Sequence, residues 1–146
     1  MKIAPYIRKA QFYETDQMGI IHHANYIHWF EEARVDLMEQ IGFGYERAAN
    51  AGINFAVLGV ACEYKSMVRF GDTVDIQCSI DSFSGTRMSV GYVVRDSCSG
   101  EIRATGESRH CFFSDSQQRP VSLKKTMPEL YELFIGVREP SENDKT

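Results

Sequence analysis

Two periodicities divide the chain. From Asn25 the apolar residues Tyr26, Phe30, Ala33, Leu37 and Ile41 recur at steps of three and four, and Glu31, Glu32, Asp36, Glu39 and Gln40 lie between them. An apolar stripe on a 3.6-residue period predicts an amphipathic helix. Asn25 suits its N-cap, because a side-chain oxygen there can accept a free backbone N–H, and Gly42 suits a left-handed close. Beyond a loop over 43–54 the period falls to two. Val74, Ile76, Cys78 and Ile80 alternate with Asp75, Gln77, Ser79 and Asp81, which predicts a strand wet on one face. Apolar runs over 55–64, 87–95 and 102–113 bring the strands to four. Ser84-Gly85 and 96–100 carry turn-forming residues between runs, so the last three strands form an antiparallel meander. An N-terminal stretch ending at residues 10–13 reads as one more strand. Thr126-Met127-Pro128-Glu129 has the spacing of a capping box and starts a short terminal helix. The pattern is that of an α+β fold with an antiparallel sheet.

Composition narrows the classes. A chain of 146 residues with 43% hydrophobic and 25% charged residues has the make-up of one ordinary globule. The expected domain is 1–135, with a flexible tail over 136–146 that has little to bury. Twenty acidic against sixteen basic residues leave a net charge of -4, without the positive field that nucleic-acid binding requires. Charged residues interrupt the N-terminus before an apolar stretch of signal-peptide length develops, and no run suggests a membrane span, so the expected location is the cytoplasm. Cys62, Cys78, Cys98 and Cys111 contain no Cys-x-x-Cys pair and are expected as reduced thiols.

Several chemistries drop out by inspection. Gly106-Glu107-Ser108-Arg109 begins like a nucleophile elbow, but His110 stands where the last glycine belongs. Gly42-Phe43-Gly44 is followed by Arg47 rather than a third glycine, and no Gly-Lys-Ser or Gly-Lys-Thr loop occurs. His23 and His28 are five apart, about 140° around a helix, so they do not share a face for a metal. His110 falls on the strand face of Ala104 and Phe112 and reads as a core histidine. No metal site is expected.

What remains is Tyr13-Glu14-Thr15-Asp16-Gln17-Met18-Gly19-Ile20-Ile21-His22-His23-Ala24-Asn25-Tyr26, running on to Phe30-Glu31-Glu32-Ala33-Arg34. This segment resembles the signature of the 4-hydroxybenzoyl-CoA thioesterase family, especially its bacterial short-chain acyl-CoA branch. Cys62-Glu63-Tyr64, Arg69 and Gly71-Asp72 extend the resemblance, which covers roughly residues 6–114. It implies a hotdog fold, an antiparallel sheet wrapped around a long central helix, assembled as a homodimer or homotetramer with sites at the subunit interface. It also implies hydrolysis of an acyl-CoA or acyl-carrier thioester without a cofactor. By motif position Asp16 is the reacting carboxylate, as general base or nucleophile. His23 supplies a backbone amide for the oxyanion at the start of the helix, and its imidazole could orient water. Gly19, Asn25 and Tyr26 support the site. Glu31 and Arg34 either face an acyl pocket or pair along the helix. Lys65, Arg69 and Arg87 border predicted strand ends and are candidates for the carrier phosphates. The competing functions are a hotdog dehydratase or hydratase and a noncatalytic acyl-CoA-binding protein.

Overall fold

The stripe from Tyr26 to Ile41 is the axis of the molecule. In a computed structural model, which describes residues 2–138, helix α1 (Asn25–Gln40) buries Tyr26, Trp29, Phe30, Ala33, Leu37 and Met38. Its end is a hydrogen-bonded Schellman close: Gly42, at φ 84°, donates its N–H to the Glu39 carbonyl and Phe43 donates to Met38, both at 3.1 Å. The start differs from expectation. Ala24 occupies the capping position, while Asn25 is already helical and its Nδ2 donates to the Glu14 carbonyl at 2.8 Å. Asn25 therefore ties the helix to the preceding turn instead of satisfying the helix's own amides.

The sheet that receives α1 comprises β1 (Tyr6–Lys9), β2 (Ile53–Tyr64), β3 (Thr73–Phe83), β4 (Arg87–Asp96) and β5 (Ile102–Ser114), with a two-residue β6 (Arg119–Pro120). Its order is β1-β3-β4-β5-β2, and β6 pairs with β5. Every pairing is antiparallel, and β3-β4-β5 is the predicted meander. Val74, Ile76, Cys78 and Ile80 of β3 are buried, as are Met88, Val90, Tyr92 and Val94 of β4. Period-two patterning placed both strands correctly because each has one face against α1. On that inner face Phe30 stacks on Tyr92 with centroids 4.2 Å apart and planes 8° from parallel.

Four local features depart from the pattern. The N-terminal strand stops at Lys9, and residues 12–14 form a 3-10 turn. The expected loop over 43–54 contains α2 (Tyr45–Asn50), too short for its apolar period to be read. Thr126 makes no capping box: it ends α3 (Leu123–Thr126), its hydroxyl donates to Ser122 O at 2.8 Å, and α4 (Pro128–Val137) begins on its proline. Gly136 and Val137 belong to α4, and the rest of the expected tail, 139–146, lies outside the described residues. No helix among the described residues is long and apolar enough to cross a membrane.

Candidate active site

A tight loop precedes α1. Thr15 and Ile21 form an isolated bridge, and Asp16 N–H donates to the Ile20 carbonyl at 2.8 Å. Between them the chain must reverse in four residues, which requires Gly19 at φ 79°, a conformation that a side chain would strain. Asp16 Oδ1 accepts the Met18 amide at 2.8 Å, the Asx contact that stabilises such a turn. Among the described residues nothing donates to Asp16 Oδ2. The loop is pinned to the segment before β3 through Ile21 N–H and Val68 O at 2.8 Å and through an Ile20–Arg69 bridge.

Hydrogen bonds at the approach to α1 commit the amides of Ala24 and Asn25 but not that of His23. Asn25 N–H donates to His22 O at 3.0 Å, and Ala24 N–H donates to His22 Nδ1 at 3.1 Å. Because a trans peptide directs its N–H opposite its C=O, the engaged His22 carbonyl fixes where the His23 N–H points. That N–H has no acceptor among the described residues. Tyr64 Oη donates to His23 O at 2.8 Å and holds the next peptide. Burial pushes the Tyr64 phenol up to about 12, with Cys62 adding to it, so Tyr64 stays a donor.

Asp16, His23, Tyr26, Tyr64, Lys65 and Met67 line one cleft of about 310 Å³. Tyr26 is its buried floor and meets Tyr64 edge-on at 4.9 Å. The His23 ring stacks on His22 at 4.1 Å. Lys65 Nζ stands exposed at the mouth, 2.8 Å from Glu63. Gly19, Asn25 and Arg69 lie outside the lining: Gly19 turns the Asp16 loop, Asn25 fastens the helix, and Arg69 is exposed beside Ile20. Arg87 is not brought near. It opposes Cys111, whose partner on β2 is Ala56, whereas the cleft residue Tyr64 is eight residues further along β2, about 26 Å at strand rise. Among the described residues no group of three His, Cys, Asp or Glu could hold a metal ion.

The family model described as the thioesterase-like superfamily matches residues 10–132. The chain belongs to this superfamily. A solved structure of DHNA-CoA thioesterase from Staphylococcus aureus is 28% identical to this superfamily member, with a TM-score of 0.87, covering 92% of this chain and 89% of that one. A crystal structure of an Aquifex aeolicus protein is 31% identical at a TM-score of 0.82, covering 89% and 98%. The acyl-CoA thioester hydrolase YbgC of Escherichia coli O157:H7 is 28% identical over 80 residues, 55% of this chain and 60% of that one. The hotdog architecture expected from the motif is thus the fold of this thioesterase-superfamily chain.

Sequence reading missed one buried acid and the polar chain that joins Arg34 to His110. Glu14, taken as part of an exposed polar turn, is buried. Arg34 does not line this cleft; with Glu31, Val57 and Ser108 it lines a separate pocket, its Nη1 donates to Tyr92 Oη at 3.0 Å, and Tyr92 meets Ser108 at 2.5 Å, which meets His110 Nε2 at 2.7 Å. Burial, helped by the Arg34 charge and opposed by the Ala56 backbone, holds His110 down at about 4. His110 is therefore neutral in the core, as its strand face implied. The signals for both were available but weak: a lone acid two residues before Asp16, and a Ser-x-His on a strand's inward face.

Proposed function

We propose that this protein hydrolyses acyl-CoA thioesters to the free acid and thiol, with Asp16 as the reacting carboxylate and the His23 amide as oxyanion donor. The observation that supports the reading is that Asp16, with one uncommitted carboxylate oxygen, and His23, whose backbone N–H has no acceptor among the described residues, line one cleft at the start of α1. The amide sits where the unpaired N–H groups and dipole of a helix favour negative charge. A developing oxyanion is the group it suits. The related proteins named as thioester hydrolases and the matching superfamily model support the hydrolysis of a thioester.

In the reaction, the thioester carbonyl accepts the His23 N–H while oxygen attacks its carbon. As general base, Asp16 takes a proton from water, the water oxygen bonds to carbon, the C–S bond breaks, and the proton passes to the departing thiolate. As nucleophile, an Asp16 oxygen bonds to the carbonyl carbon, the C–S bond breaks and the thiolate leaves; water then cleaves the anhydride, restoring the Asp16 carboxylate and releasing the acid, with a proton from water passing to the thiolate. Either path needs little acid assistance, because a thiol with a pKa of about 8.5 leaves readily as thiolate. Lys65 at the mouth and Arg69 beside the loop are the cations this reading assigns to the carrier phosphates. Arg87 has no part in it within one protomer. A thiol-release assay over a panel of acyl-CoA substrates tests the proposal: turnover that disappears in Asp16→Asn is expected, and turnover that persists there overturns the assignment. A single turnover in ¹⁸O-water probes the two paths: label in the Asp16 carboxylate with an unlabelled product acid marks an anhydride that water opens at the Asp16 carbonyl, since the general-base route places label in the product alone.

The proposed assembly is a dimer. Strand β2 pairs on one side with β5 and ends the sheet on the other, and its Val57, Leu58 and Val60 are 55%, 43% and 44% exposed. A long apolar edge is a liability that a second copy removes. Sedimentation is expected to show at least a dimer, and a fully active monomer would contradict this.

A further inference from the structure

We infer that Glu14 is a positioning residue for this site, setting the loop that carries Asp16 against the helix start that carries His23. The inference rests on the reading of Asp16 as the reacting carboxylate. Glu14 is 2% exposed. Its Oε1 accepts Arg8 Nη1 at 3.0 Å and the Gln11 amide at 2.8 Å. Its Oε2 accepts Arg8 Nη2 at 3.1 Å and Trp29 Nε1 at 2.8 Å. An ionised carboxylate has about four acceptor sites, and all of these are filled. Glu14 therefore has no lone pair left for water or substrate, unlike Asp16 two residues on. Its peptide carbonyl is occupied as well, by His22 N–H and Asn25 Nδ2, both at 2.8 Å.

These partners come from each piece that must be held. Arg8 belongs to β1, Gln11 precedes the 3-10 turn, Trp29 lies one turn inside α1, and His22 and Asn25 flank the oxyanion amide. An outer layer fixes Arg8: its Nε donates to Glu32 of α1 at 3.0 Å. One residue thus bridges strand, turn and helix immediately before the Asp16 loop. Catalysis by a held carboxylate and amide depends on their relative placement, and displacement by about 1 Å can cost on the order of a hundredfold. Glutamine cannot substitute silently, because its amide nitrogen would face donors from Arg8 or Trp29.

The experiment compares the full chain carrying Glu14→Gln or Asp16→Asn with the unsubstituted protein, measuring kcat and KM by thiol release and folding by circular dichroism and thermal melting. Phe134→Leu, buried in the core away from the cleft, serves as a control for lost stability. Glu14→Gln is expected to lower kcat about ten- to fiftyfold with KM within threefold, well below its melting temperature. Emission from Trp29, the only tryptophan, shifts as its carboxylate acceptor is lost. Phe134→Leu keeps kcat within twofold. A folded Glu14→Gln with near-native kcat, or a loss matched by Phe134→Leu, overturns the inference. If Glu14→Gln does not fold, Trp29→Phe, which removes one donor and leaves the Arg8 pair, is expected to lower kcat three- to tenfold, and unchanged kcat overturns the inference. Hydrolysis that survives Asp16→Asn would instead defeat the underlying reading, whatever Glu14 does.

Discussion

The two ends of the sheet are held by different forces. At the cleft end, the loop and the start of α1 are joined by directional bonds: a buried carboxylate with four donors, and carbonyls aimed at particular side chains. At the other end Phe55, Phe83, Phe112 and Phe134 pack ring against ring with centroids 5.3–6.2 Å apart. Aromatic packing is tolerant of angle and contributes stability through buried area. Buried charge pairs contribute little net stability after desolvation, but breaking one is costly, and their geometry is narrow. The molecule uses packing to stay folded where no chemistry is proposed and hydrogen bonds to fix atoms where it is.

The largest effect that would sharpen this contrast is Phe134→Ala. Emptying the centre of the aromatic cluster is expected to cost about 3–5 kcal/mol by urea unfolding, while kcat per folded molecule stays within twofold. A comparable loss of kcat below the melting temperature would break the division between the two ends. Asp16→Asn is the converse. It keeps shape and removes charge at a partly exposed position, so kcat is expected to fall at least about a hundredfold, with the melting temperature nearly unchanged.

A pH test probes the polar chain buried between the two ends. His110 is held at about 4 when folded, below its ordinary 6.5, so the unfolded chain takes up the proton first as pH falls. Stability is complete well above 6.5 and is lost as pH drops toward about 4, with a loss of roughly 1.5 kcal/mol between 6.5 and 5. Urea unfolding across this range should show that slope, and His110→Gln should flatten it. The smallest effect belongs to His23→Ala, which keeps the backbone amide and is expected to lower kcat less than about tenfold. A loss at His23 exceeding that at Asp16 would make the imidazole the principal base.

Much of the fold was legible because it rests on repetition. The α1 stripe and the alternation in β3 and β4 each repeat a burial pattern often enough to outweigh local exceptions. The run over 55–64 shows the limit. Nearly continuous apolar sequence suggests a strand covered on both faces, yet β2 ends the sheet with much of its apolar surface open. Sequence records that such a strand needs cover without saying whether the cover comes from the same chain. Thr126 and Asn25 mislead for a related reason: both have capping chemistry, and neighbouring groups claimed their side chains first.

The candidate site divides in the same way. By itself the sequence determined the loop containing Asp16 and Gly19, the helix that follows, and the adjacency of His23 to its start, since all three are local and depend on turn and helix chemistry within about 25 residues. Tertiary structure alone decided that Tyr64 and Lys65 join that cleft while Arg87 stands at the far end of β4, because strand order sets those distances. It also decided that Glu14 is buried and saturated. Its donors come from residues 8, 11 and 29, and burial of a charge depends on partners that only folding brings together.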